Sequence, residues 1–382
     1  MIQIKEFPLK PVAMRGRYYR RVKNSKRVMS MPEIAQMHFD SAGMSWDRLP
    51  ATRAALDDIE FERVKRYIEI ANTTGRRKIE KNEKPLQVLE KLKLLQDGRP
   101  TWAAILLFSQ SPQRLLSQAV IHCGRFKEET IVIDDRMIHG DLTEQIDEAM
   151  DFIRKNINVK FVMTGEPARE QIWDYPLEAL REAVINAVCH RDYTISSNVE
   201  IRIYDDRLIV WSPGGLPLGI TVAELYKPHS SALRNKGIAS VLYDMGLIEQ
   251  WGSGIDKMRR VCVEAGVPEP EFEEQQGFRV TFRKDIYTEE YLRSIGLNER
   301  QVKAVKYVRE KGKVTNKEYR EIFGIAERTA RTDLSELSAK KVFEKTGKEG
   351  ITAEYFLRAK TTPATPATPP AKPRQNGNNP GN

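Results

Sequence analysis

The chain has 382 residues, of which 40% are hydrophobic and 30% charged, and a formal net charge of +9. That length holds two or three domains with real cores. No run approaches the ~18 consecutive apolar residues of a membrane span, and the N-terminus lacks a signal-peptide core.

The charge is unevenly spread. Residues 1–29 carry about +8, residues 298–358 about +5 and residues 359–382 three more, which leaves 30–297 at about −7. Basic ends around an acidic middle predict nucleic-acid contact at the ends and other work at the centre, although a solvated basic face has the same composition. Cys123, Cys189 and Cys262 have no disulfide or metal spacing and suit a reduced, cytoplasmic protein.

In chain order, residues 1–45 open with "RYYRRV", whose alternation predicts a strand with one basic face, followed by a helix. Residues 50–165 predict helices at "FERVKRYIEIANTTG" and within "PLQVLEKLKLLQDGRPTWAAILLFSQSPQRLLS", a strand at "QAVIHCGRF", a helix at "EQIDEAMDFIRKNI" and a strand at "VKFVMTG". Residues 166–290 begin with a helix over 176–191, in which Leu177, Leu180, Val184 and Val188 form one apolar stripe. Two strands follow in "NVEIRIYDDRLIVWSPGG" with Asp205-Asp206 as their turn, then a helix, a glycine turn feeding a second helix, and the strand "GFRVTFRKD". The order predicts a mixed layer of helices on a sheet, with Trp211 and Trp251 in the core.

Residues 295–358 have their own rhythm. Val302, Val305 and Val308 mark a helix ended by Gly312, and Thr315 or Asn316 caps a second carrying Tyr319 and Phe323. Gly324-Ile325 turns the chain into a third helix from Glu327 with Ala330, Leu334 and Leu337, and a hairpin closes the segment. That is the layout of a winged helix-turn-helix, with Arg328, Thr329, Arg331 and Thr332 placed to meet base edges and phosphates of double-stranded DNA. A winged helix used for protein contact has the same layout. The Pro/Thr/Asn-rich tail, 359–382, reads as disordered.

Several chemistries are excluded. There is no Gly-x4-Gly-Lys-Ser/Thr loop, so helicase activity is unsupported, and neither a Gly-x-Ser-x-Gly motif nor histidines at metal-ligand spacing occur. "CHRDY" alone does not make a kinase. What remains is Glu182 one helical turn before Asn186, followed by two glycine corners, "SPGGLP" and "GSGIDKM". An amide oxygen can ligate Mg²⁺, a carboxylate can take a proton from water, and a glycine turn opening a helix offers free N–H groups to phosphate.

This order resembles the ATP-binding fold shared by gyrase, heat-shock chaperone, histidine-kinase and MutL-type (GHKL) proteins. "LEALREAVINAVCHRDY", "IRIYDDRLIVWSPGGLP", "LYDMGLIEQWGSGIDKM" and "GFRVTFRK" are more closely similar to a divergent bacterial branch described as transcriptional regulators or RecG-related proteins. The resemblance implies an α+β chain: an α/β sandwich of the GHKL ATPase type at 166–290, a C-terminal winged helix-turn-helix, and at 1–45 a truncated segment similar to the Schlafen AlbA nucleic-acid-binding domain. It also implies ATP and Mg²⁺ as cofactors, with Glu182 as general base, Asn186 as metal-ligating amide, Gly214 and Gly215 as the first glycine box, and Gly252 and Gly254 as the second. Ser212 stands where the family has an adenine-binding Asp, which replaces a charge-assisted hydrogen bond with a neutral one. His190, Arg191 and Asp192 either hold phosphate or lock the helix end to the sheet, and Gly214 and Gly215, beside Pro213 and Pro217, equally suit a plain turn.

The function expected is a DNA-binding transcriptional regulator whose nucleotide site modulates winged-helix binding, acting as a homodimer on paired half-sites. The alternatives are a DNA-associated ATPase using Glu182, and a nucleotide-free DNA-binding scaffold with a degenerate site.

Overall fold

The computed structural model describes residues 10–22, 25–80, 82–162, 170–217, 220–227, 232–249, 252–284, 287, 289–340, 342–346 and 353–357. Trp251, the centre of the C-terminal hairpin and the 359–382 tail lie outside them. The chain divides into two units, 1–284 and 285–382.

The first unit opens with three antiparallel strands, β1 (Ala13–Met14), β2 (Arg17–Val22) and β3 (Ser25–Val28), followed by α1 (Met31–Ser41). The basic strand "RYYRRV" is β2, and it is paired on both sides. Arg20 and Arg27 bond Glu33 of α1 at 3.1 and 2.7 Å, so part of the basic surface is neutralised internally. Next come α2 (Phe61–Thr74), α3 (Pro85–Lys91), the hairpin β4 (Leu95–Gln96) and β5 (Arg99–Pro100), and α4 (Trp102–Phe108). Val64, Tyr67, Ile68 and Ala71 give α2 its buried stripe at helical spacing, whereas α4 is buried continuously from Ala103 to Phe108.

A six-stranded sheet then forms from β6 (Ile121–Phe126), β7 (Val132–Ile138), β10 (Val199–Ile203), β11 (Arg207–Ser212), β12 (Glu271–Glu274) and β13 (Phe278–Arg283), in the order β12-β13-β11-β10-β6-β7. Only the β6–β10 pairing is parallel. Between these strands run α5 (Leu142–Asn156), the hairpin β8 (Val159–Val162) and β9 (Glu170–Trp173), α6 (Leu177–His190), α7 (Lys236–Asp244) and α8 (Gly254–Glu264). Strand alternation sets the buried face: Val199, Ile201 and Ile203 on β10 and Leu208 and Val210 on β11 point inward. Helix α6 lies against β11 with α5 and α8 beside it. The sequence pattern did not announce β7, β9 or β12: "VIDDRMI" has two aspartates at its centre, and "EFEE" has one apolar residue. Trp211 is half-buried rather than in the core.

Long-range links fix the end of α6 and the start of α7. Asn235, buried before α7, donates from Nδ2 to the carbonyls of Cys189 (2.9 Å) and Arg191 (2.8 Å). Asp47, also buried, accepts from the Ile238 amide at 2.8 Å and from Ser45 Oγ at 2.5 Å, capping α7 from almost two hundred residues away. Trp46 stacks between Trp102 and Tyr193 at 5.3 and 5.9 Å.

The second unit contains α9 (Glu289–Ser294), α10 (Glu299–Lys311), β14 (Val314–Thr315), α11 (Asn316–Phe323), α12 (Glu327–Ala339), β15 (Phe343–Thr346) and β16 (Glu354–Leu357), its strands ordered β14-β16-β15. Asn298 and Thr315 each cap a helix through a reciprocal capping box. Gly324 takes φ +60°, the left-handed turn that separates α11 from α12. Val305, Tyr319, Leu334 and Leu337 meet in the core. Asp333, buried on α12, accepts from Arg300 Nε (2.6 Å) and the Tyr319 hydroxyl (3.1 Å), so one carboxylate ties the three helices together.

Asn235→Ala should lower stability by about 2–3 kcal/mol, because it orphans buried carbonyls at the end of α6. Asn235→Asp should cost more at neutral pH, since a carboxylate places negative charge against both carbonyl oxygens. Urea denaturation checks both; equal or negligible losses would contradict the linking role.

Candidate functional site

Helix α6 is enclosed by apolar packing: Leu180, Ala183, Val184, Ala187 and Val188 are buried. Glu182 and Asn186, one turn apart, are half-buried and stacked, Asn186 Nδ2 donating to Glu182 Oε1 at 3.0 Å. Burial pushes the Glu182 carboxyl above the usual range; the Asn186 hydrogen bond and nearby Lys257 pull it back. Lys257 itself pairs with Glu178 at 2.9 Å.

The start of α8 comes to meet this pair. A Cβ on Gly254 would overlap Glu182 Oε1 and stand 3.2 Å from Asn186 Nδ2. Only glycine lets the first turn of α8 approach both groups. Ser253 gives that turn no side-chain cap, so its leading amides keep no internal partner of that kind.

The first glycine corner is built for a different reason. A Cβ on Gly214 would strike Arg234 and Asp192, and one on Gly215 would strike Glu274, so these glycines answer to protein packing. Glu274 Oε1 also accepts from the Leu216 amide at 2.8 Å. Arg234 braces the corner against α6, donating to the His190 and Gly215 carbonyls, both at 2.7 Å. Ser212 is buried, and its hydroxyl donates to the Ala187 carbonyl at 2.7 Å.

Glu182, Asn186, His190, Ser212, Gly214, Gly215, Gly252 and Gly254 all line one cavity of about 1060 Å³ including its open mouth. Val210, Ile248, Met258 and Val280 make one wall apolar. Burial, with Arg234 nearby, pushes the His190 imidazole down to about 4, so it is neutral at physiological pH. Of the three residues given a choice between holding phosphate and locking the helix end, Arg191 and Asp192 do not line the cavity. The chain leaves the helix at Arg191 with ψ 139°, which turns that side chain inward; its guanidinium sits 4.9 Å from the Tyr193 ring centroid and donates to the Ser197 carbonyl at 2.7 Å. Asp192 accepts from the Thr194 amide (3.0 Å) and hydroxyl (2.6 Å), closing a local turn. Both serve the fold. Among the described residues, no group of His, Cys, Asp and Glu side chains has the arrangement of a metal site.

In the second unit Arg328, Arg331 and Thr332 are exposed along one face of α12, with Thr329 half-buried at its side. Thr332 donates its hydroxyl proton to the Arg328 carbonyl at 3.0 Å, and Arg331 lies 3.5 Å from Glu327.

Asn235 and Arg234, which hold the cavity's shape, escaped the sequence reading because "LRNKGIASVLYDMG" reads as one helix, whereas α7 begins only at Lys236 and leaves both residues ahead of it.

Comparison with known proteins agrees with this division. Residues 196–282 match the family described as "Putative ATP-dependent DNA helicase recG C-terminal", a span that includes both glycine corners and begins after α6. Residues 300–347 match the DeoR-like helix-turn-helix domain. In fold, the chain is similar to the DIP2311 protein from Corynebacterium diphtheriae, with a TM-score of 0.52 and 20% identity over 90% of this chain and 70% of that one. No curated protein matches in sequence. The chain thus joins a RecG-C-terminal-like ATPase domain to a DeoR-like helix-turn-helix domain.

Proposed function

We propose that the chain is a DNA-binding transcriptional regulator whose first unit, a divergent GHKL-type sandwich, binds ATP with Mg²⁺ and thereby modulates DNA binding by the second. The observation that carries this reading is the meeting of Glu182, Asn186 and the Gly254 corner at one end of an apolar-walled cavity.

The residues fit the ligand. Asn186 uses Nδ2 on Glu182, and no hydrogen bond reaches its Oδ1 among the described residues, which suits a hard cation that keeps most of its waters. The cavity lining holds no Lys or Arg among the described residues, so phosphate charge falls to Mg²⁺ and to the amides opening α8. Bound Mg²⁺ supplies charge neutralisation on the phosphate oxygens. The apolar wall suits a purine base. Ser212 has its proton engaged on Ala187, so its oxygen remains an acceptor for an exocyclic amino group. Glu182 takes a proton from an attacking water, and its raised pKa suits a base. The basic N-terminal strands, read as an AlbA-like segment, supply a second nucleic-acid contact.

Magnesium-dependent ATP binding should be measurable by calorimetry, and Glu182→Ala should keep binding while lowering phosphate release by about 100-fold or more. Because Glu182 works deprotonated, wild-type release should fall as pH drops through its raised pKa. An absence of nucleotide binding at millimolar concentration would leave the DNA-binding scaffold as the remaining reading.

On DNA, Arg328→Ala and Arg331→Ala together should weaken duplex binding and shrink the salt slope by about 2 if each meets one phosphate. A slope left intact by the double variant would remove both from the interface. Duplex affinity should differ between ATP-saturated and nucleotide-free protein, and by linkage DNA must shift ATP affinity by the same factor. Identical affinities would contradict the regulatory part of the reading.

A further inference from the structure

The two ends of the six-stranded sheet are built differently. One is β12, four residues long with three glutamates, the short charged edge that discourages pairing with another sheet. The other is β7, seven residues long, with Ile133 60%, Val132 51% and Met137 41% exposed. Among the described residues no strand lies beyond it. We propose that β7 pairs antiparallel with β7 of a second copy, joining two sheets across a two-fold axis at Asp135.

Charge and shape choose this register. In an antiparallel self-pairing, opposed residues share a face, so the axis must pass through a residue rather than between two. With the axis at Asp135, Asp134 faces the partner's Arg136 and Ile133 faces the partner's Met137, each contact occurring twice. Moving the axis to Asp134 sets Ile133 against the partner's Asp135; moving it to Arg136 sets Asp134 against the partner's Ile138. The chosen register brings Asp135 opposite its own copy, with His122 Nε2 already 2.6 Å from Asp135 Oδ1.

Asp134 already accepts from Lys155 (3.0 Å) and Asn156 (3.3 Å), and Arg136 donates to Glu148 (2.6 Å). A carboxylate and a guanidinium have capacity for a further partner, and opposite charges across paired strands add to sheet stability. A single strand edge is small beside the ~800 Å² per partner of a standard interface, so the association is reversible and concentration-dependent.

Sedimentation equilibrium of the full chain across the micromolar range tests this. The wild type should show a monomer–dimer equilibrium. Asp134→Arg and Arg136→Asp should each give monomers, and the double variant should dimerise again because the pair is only reversed. Asp135→Cys should form an intermolecular disulfide under mild oxidation, since opposed Cα atoms in such a ladder stand about 4.5–5.5 Å apart; the native Cys123, Cys189 and Cys262 are buried. A wild type that stays monomeric, a dimer untouched by both reversals, or a folded double variant that stays monomeric without cross-linking through Asp135→Cys would overturn the proposal.

Discussion

The first unit depends on the enclosure of α6. Sheet and neighbouring helices take up its apolar faces, so Glu182 and Asn186 have one direction left, toward the opening turn of α8. A half-buried carboxylate is costly unless something donates to it. The Asn186 amide does so, and Lys257 adds a favourable field. With that nitrogen engaged on the carboxylate, the amide oxygen is the group turned to other uses. The chemistry proposed for the cavity rests on this division of labour within a single turn of helix.

The two glycine corners look alike in the sequence and act differently in space. Gly254 keeps a Cβ out of the space occupied by Glu182 and Asn186, so its requirement comes from the site itself. Gly214 and Gly215 let Arg234, Asp192 and Glu274 pack closely, so their requirement comes from the wall behind the site. Arg234 and Asn235 complete that wall by binding carbonyls at the end of α6 and at the first corner. Substituting either corner alters the cavity, one by filling it and the other by loosening its frame.

Much of the architecture was legible in the sequence because it is written in local periodicity. The α6 stripe, the β10–β11 hairpin, the α10–α12 triplet and the Gly324 turn all follow from spacings within a few residues. What escaped depends on tertiary partners: β7 and β12 are strands because a neighbour pairs with them, and Asn235 matters because α6 happens to end beside it. Of the two roles left open for Arg191 and Asp192, the contacts match the structural one. The motif "HRDY" puts three polar residues at a helix end, but the extended backbone at Arg191 sends its guanidinium onto Tyr193 and leaves Asp192 to close its own turn. Residue type could not disclose that change of direction.

The most direct test of the central claim is a crystal structure of the full chain soaked with a non-hydrolysable ATP analogue and Mg²⁺. Electron density should show a metal ligated by Asn186 Oδ1, phosphates against the first amides of α8 and the base on the Val210–Val280 wall. An analogue bound elsewhere, or a cavity that stays empty at saturating concentration, would contradict it.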